Sequence, residues 1–146
     1  MTEHDKQLHG SWRLVSFETE LQESKERMQP WGADPNGSLV FSADGRMMVL
    51  LTARVREPGN TDEKLVALFR TVMAYTGRYR IEADRFITKV DACWHEAWNG
   101  TEQERFYTLD GDTLEVRTAW MPNPLVAGNP TGRGVLGFKR ESAALR

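Results

Sequence analysis

The sequence predicts an all-β fold: an eight-stranded antiparallel up-and-down barrel with one amphipathic helix between the third and fourth strands. Three observations predict it. Short apolar or alternating segments recur between Gly, Asn, Asp and Pro turns, at the interval typical of sandwiches and barrels. Two Asp-Gly turns, Asp44-Gly45 and Asp110-Gly111, sit between such segments as hairpin signals. One stretch alone has helical rather than twofold spacing.

The first strand runs over 10–21, with Trp12, Leu14, Val15 and Phe17 as strand-favouring bulk, and a loop with Pro30, Gly32, Pro35 and Gly37 follows it. Residues 38–42 and 46–54 form a hairpin across Ala43-Asp44-Gly45. Over 62–74, Leu65, Leu68, Phe69, Val72 and Met73 recur at helical spacing behind an Asn60-Thr61-Asp62 cap signal. The fourth to eighth strands are expected at 75–82, 85–94, 102–109, 113–120 and 134–140. The loop 121–132, with Pro122, Pro124 and Pro130, has no periodicity. Closing eight strands into a barrel removes the exposed edges of an open sheet. At this size the interior is filled by side chains or just holds one small ligand.

Alternation assigns the faces. On the fifth strand Phe86, Thr88, Val90, Ala92 and Trp94 should face inward, and on the seventh Leu114, Val116, Thr118 and Trp120. On the sixth, Glu102 and Glu104 are cheapest in water, which turns Gln103, Arg105 and Tyr107 inside.

Composition bounds the function. A chain of 146 residues and 16.7 kDa is one domain's worth, with a barrel core over about 8–140. Nineteen basic against 21 acidic residues, net charge -2, provides no surplus for a nucleic-acid backbone. The longest apolar run, Met47 to Leu51, is far too short to span a membrane as a helix. A single cysteine, Cys93, and a polar amino terminus lead us to expect a reducing, cytoplasmic setting. Oligomeric state is left open, a homodimer included. Against this background stand 14 aromatic residues, five of them tryptophan.

Several motifs indicate a family. Gly10-Ser11-Trp12 on the first strand resembles the Gly-x-Trp signature of lipocalins, and Arg140 stands where lipocalins place an arginine over that tryptophan. The runs Pro35 to Phe41, Asp44 to Met47, Ala74 to Tyr79 and Trp98 to Arg105 are similar to recurring patterns of the bacterial and fungal lipocalin-like domain family. The resemblance covers about 8–140 and implies a closed barrel with an internal pocket, but little about chemistry. The chain departs from that pattern at Thr88 and Lys89, where many relatives carry histidine, and at Gly137 and Phe138, near which many carry tryptophan. Activity dependent on that histidine is not expected here.

The candidate site is built from these assignments. Arg105, with Gln103 and Tyr107 on its face, needs an acceptor: an internal acid, or a carboxylate, enolate or carbonyl of a ligand. A neighbouring strand or water would serve equally. Tyr75 and Tyr79, four apart on one strand, share a face, where they could meet ligand or pack as core. Trp94, Trp98 and Trp120, with Met48, Leu50 and Thr88, are candidate walls, while Trp12 belongs to the barrel base and Trp31 has no assigned role. The helix would cover one mouth.

Other motifs carry less. His95-Glu96 near Asp91 could act as an acid/base pair or be a surface feature. Cys93 and His95 lack the remaining ligands of a metal site, so neither metal nor cofactor is expected. Gly132-Arg133-Gly134-Val135-Leu136-Gly137 matches a dinucleotide fingerprint in letters only, because no βαβ unit surrounds it. Three functions remain. The first is binding of a small, largely apolar molecule, aromatic or polyketide-like as in secondary metabolism. The second is a cofactor-free isomerase, cyclase or hydro-lyase in the same cavity, with Arg105, Tyr79 and Tyr75 as catalytic candidates. The third is a protein-interaction module presenting exposed tryptophans.

Overall fold

A computed structural model describes residues 6–122 and 128–141. In chain order the elements are β1 (Gly10–Leu21), β2 (Arg27–Met28), β3 (Asn36–Phe41), β4 (Arg46–Thr52), α1 (Asp62–Arg70), β5 (Val72–Glu82), β6 (Arg85–Cys93), β7 (Glu102–Asp110), β8 (Thr113–Arg117), β9 (Met121–Pro122) and β10 (Thr131–Arg140), with a single 3-10 turn at Glu96–Trp98. Eight strands pair in the cyclic order β1-β3-β4-β5-β6-β7-β8-β10, and β10 pairs back to β1. All these pairings are antiparallel, so the barrel is closed and up-and-down. The two-residue strands β2 and β9 extend the rim beside β1 and β10. The helix begins where Thr61 accepts a hydrogen bond from the Lys64 amide at 3.3 Å, and it ends at Arg70. The sequence places Val72 and Met73 in that helix, but they open β5, where pairing to Thr52 and Leu51 outweighs local spacing. No described helix is long and apolar enough to cross a membrane.

The two ends of the barrel differ. At one end the connections are tight: 42–45, 83–84 and 111–112. This end is packed solid by Trp12, Leu14, Phe41, Phe86, Leu114 and Phe138. Phe41 meets Tyr79 and Phe86 edge-on at 5.0 and 5.1 Å. Trp12 donates its indole N–H to the Leu8 carbonyl at 2.9 Å, and the Arg140 guanidinium lies 4.2 Å from the centre of its ring. Arg140 also donates to the carbonyls of His9 (2.9 Å) and Gln7 (2.6 Å) and to Asp112 (3.1 Å), which ties both ends of the described chain to the barrel floor.

At the other end the connections 22–35, 53–71 and 94–101 are long, and the barrel opens. Glu20 organises part of this rim, accepting from Arg27 at 2.9 Å and from Arg133 at 2.9 Å. Its carboxyl is held below the ordinary carboxylate range, chiefly by the Arg27 hydrogen bond. A depressed folded-state value adds stability above the unfolded carboxylate pKa, and that stability is lost as pH falls through the folded one. Thermal unfolding of Glu20→Gln should therefore show its largest deficit at neutral pH, with the gap to the unaltered chain closing below about pH 4. A gap independent of pH would contradict an ionic role.

Two local features set the faces. The first is the loop of the β3–β4 hairpin, which is Ala43-Asp44-Gly45 as the sequence places it, with Gly45 at φ +93°. The Ser42 amide donates to the Arg46 carbonyl at 2.8 Å across the base of this loop. Phe41 therefore pairs with Met47, and Met47, Val49 and Leu51 follow Leu39 and Phe41 to the inner face. The second is a bulge between β5 and β6, where Thr76 pairs with Ala92 but Gly77 pairs with Val90. Asp91 is the extra residue, and its carboxylate turns outward to accept from Arg46 at 3.0 and 3.1 Å. Ala92, expected inside, is consequently exposed, and Cys93 turns inward opposite Tyr75.

Candidate functional site

The open half encloses a cavity of about 260 Å³. Its wall comes from the inward faces of strands whose other halves pack the floor: Phe17 and Thr19 on β1, Leu39 on β3, Met47, Val49 and Leu51 on β4, Met73 and Tyr75 on β5. Across from these stand Phe86, Gln103 and Arg105, then Val116, Thr118, Leu136 and Phe138. Met121, Pro122, Gly132, Arg133 and Gly134 complete the wall on the β9–β10 side.

Trp98 caps the cavity from the 3-10 turn that follows β6. It is the hub of an aromatic cluster, with Trp94 at 5.2 Å and Tyr75 at 5.7 Å, both near-perpendicular. The Arg105 guanidinium lies 5.7 Å from its ring centre. Arg105 is only 8 % exposed. It donates to the Glu104 carbonyl at 2.9 Å and to the Gln103 side-chain oxygen at 3.4 Å, and among the described residues it makes no ion pair with a carboxylate. The acids of its strand, Glu102 and Glu104, are on the outer face and pair with Arg80 and Arg85.

The structure gathers some sequence candidates and disperses others. Arg105, Gln103, Tyr75 and Trp98 share the cavity. Tyr79 and Tyr107 are buried, but in the packed floor against Phe41 and Phe86. Thr88 is fully buried in the wall between Tyr79 and Gln103 and does not reach the cavity. Trp94 lies beyond the bulge and packs on Phe69, His95 and Trp98 outside the lining. Trp120 stands at the rim beneath Arg133, whose guanidinium is 4.2 Å from its ring centre. Met48 and Leu50 must be corrected: each is 56 % exposed on the outer face of β4, because the three-residue hairpin loop brings Met47, Val49 and Leu51 inward instead. The helix contributes no lining residue; its Phe69 leans on Trp94 and His95 beside the mouth.

Sequence reasoning missed Met47, Val49 and Leu51 because the run from Met47 to Leu51 is apolar throughout and shows no alternation. The neighbouring strand held the signal: Leu39 and Phe41 alternate with Ser38 and Ser42, and a hairpin partner must follow that face. Arg133 was missed because its strand begins at Thr131, inside the segment read as loop. Among the described residues no group of three or more His, Cys, Asp or Glu side chains could hold a metal ion.

The geometry agrees with a sequence comparison: residues 9–141 match the lipocalin-like domain family. The chain belongs to this family. The chain is also similar to the 4'-hydroxy-3'-methoxypropiophenone carrier protein ppsC of Aspergillus oryzae, with 29% identity over 109 residues, covering 62% of this chain and 96% of the relative. The lipocalin-like barrel and a relative that bears the name of a carrier together support binding of a hydrophobic small molecule.

Proposed function

We propose that this lipocalin-like barrel binds and carries a small aromatic or polyketide-like molecule without transforming it. The observation that carries the reading is Arg105: a nearly buried cation, with no carboxylate partner among the described residues, set in a mostly apolar cavity. Burying a charge is costly without compensation, and a fold that only needed packing would have used an apolar side chain there. Trp98, Tyr75, Phe17 and Phe86 offer flat faces to a ring, and the relative named as a carrier of an aryl ketone supports that ligand class. The cavity volume is just under the usual range of about 300–1,000 Å³ for ligand sites, which suits one or two rings.

Carriage is favoured over the isomerase, cyclase or lyase reading by the lining itself. Among the described residues it contains no Asp, Glu, His, Lys or Cys, the side chains that most often act as general acid or base. Native mass spectrometry of the purified protein, followed by calorimetric titration with 2-acetylnaphthalene, tests the proposal. We expect a one-to-one complex, and Val49→Trp, which fills the cavity from β4, should weaken it by at least about tenfold, or ~1.4 kcal/mol. Unaltered affinity in a folded Val49→Trp variant would place the ligand elsewhere.

A further inference from the structure

The cavity has a sign as well as a shape. Among the described residues its lining holds two guanidinium groups, Arg105 and Arg133, and no carboxylate. The two charges are balanced differently. Arg133 is met at the rim by Glu20, at 3.0 Å through Nε and 2.9 Å through Nη2, and it rests on Trp120. Arg105 has only a backbone carbonyl and an amide oxygen, neither of which carries a formal charge. A guanidinium presents five N–H donors in a planar fork matched to delocalised oxyanions, and Arg105 spends two on protein acceptors. In a nearly buried, mostly apolar setting the unbalanced positive charge discriminates more strongly between a neutral and an anionic guest than it would in water. The lining places no negative group nearby to cancel that preference.

Resting on the small-molecule reading above, we propose that the preferred ligand is an anion: a planar aromatic acid whose ring-conjugated oxyanion, carboxylate or phenolate, is held by Arg105 beside the face of Trp98. Arg105 is then the residue that determines specificity, and the ring is accommodated by the apolar wall of Val49, Leu51, Val116 and Leu136. Charge recognition is local. The net charge of the chain is -2, so the overall field does not attract anions and the selection is made inside the barrel.

The test compares isosteric probes by calorimetry on the full chain: 2-naphthoate, its neutral methyl ketone 2-acetylnaphthalene, and 2-naphthol. At neutral pH naphthoate should bind at least about tenfold more tightly than the ketone, and in Arg105→Gln that ratio should fall to within about threefold. Arg105→Lys, which keeps the charge but not the fork, should give an intermediate ratio, and far-UV circular dichroism confirms that each variant folds. Naphthol affinity that rises as pH passes through the compound's own ionisation, while ketone affinity stays flat, identifies phenolate as an accepted anion. Naphthol affinity that stays flat beside tight naphthoate confines the site to carboxylates. Equal binding of naphthoate and ketone in the unaltered chain, or a preference that persists in Arg105→Gln, overturns the anion assignment and leaves the carrier reading standing. No binding of any of the three compounds overturns both.

Discussion

Replacing Trp12 with alanine should destabilise the barrel by about 3–5 kcal/mol, the largest effect expected of any single substitution in the chain. Trp12 is completely buried, and it contributes at three levels. Its ring fills the floor of the barrel among Leu14, Phe41 and Phe138, so truncation opens a cavity that the surrounding strands cannot close. Its indole N–H donates to the Leu8 carbonyl at 2.9 Å, a buried hydrogen bond that truncation removes. Its face supports Arg140, through which the last strand is bonded to Gln7, His9 and Asp112. Urea unfolding followed by circular dichroism measures the loss as a lower midpoint. Trp12→Phe should retain most of the packing and give up the indole hydrogen bond, with an intermediate midpoint. Trp12 does not line the cavity and meets it only through shared neighbours such as Phe138, so Trp12→Ala protein that remains folded should lose much less affinity than stability. A loss of affinity as large as the loss of stability would show that the two ends of the barrel are not independent.

Gly77→Ala should lower stability by about 3 kcal/mol and weaken ligand binding as well. A Cβ at Gly77 would stand 2.0 Å from the Lys89 carbonyl oxygen and 3.0 Å from the Thr88 methyl group. The first of these is backbone held in the β5–β6 ladder, so relief requires the two strands to part at the bulge. That bulge is also what aims the site. It turns Asp91 out to Arg46, brings Cys93 in beside Tyr75, and starts the 94–98 segment in the direction that sets Trp98 over the cavity. Chemical denaturation and calorimetric titration of the same variant read the two effects. A variant with an unchanged midpoint would mean that the strands can part without loss there.

The fold was legible because its signals are short-range and repeated. Turn residues separate the strands, and Leu114 and Val116 against Glu115, or Arg105 against Glu102 and Glu104, report their faces wherever polar and apolar residues alternate. The resemblance at Gly10, Trp12 and Arg140 corresponds to real contacts at the closed end. The site was legible only in part. Arg105, Gln103, Tyr75 and Trp98 were reached by alternation or proximity, but Tyr79 and Tyr107 carry the same parity into the packed floor. Parity says which wall a side chain leaves from; it is blind to height along the barrel axis. Height separates a cavity at one end from a solid core at the other, and it follows from strand stagger and loop length together.

The sequence by itself therefore determined the eight strands of the barrel, the helix between the third and fourth of them, and the inward turn of Arg105. Each depends on a residue and its near neighbours in the chain. Only the tertiary structure decided that Cys93 replaces Ala92 beyond the bulge, that Tyr79 and Tyr107 pack into the floor while Tyr75 reaches the cavity, and that among the described residues Arg105 has no carboxylate to answer it. The first of these has a plain physical reason. In a β-sheet the side-chain period is two, so one residue more or less in a turn or bulge inverts a whole strand, and whether it is present depends on pairing with strands distant in sequence.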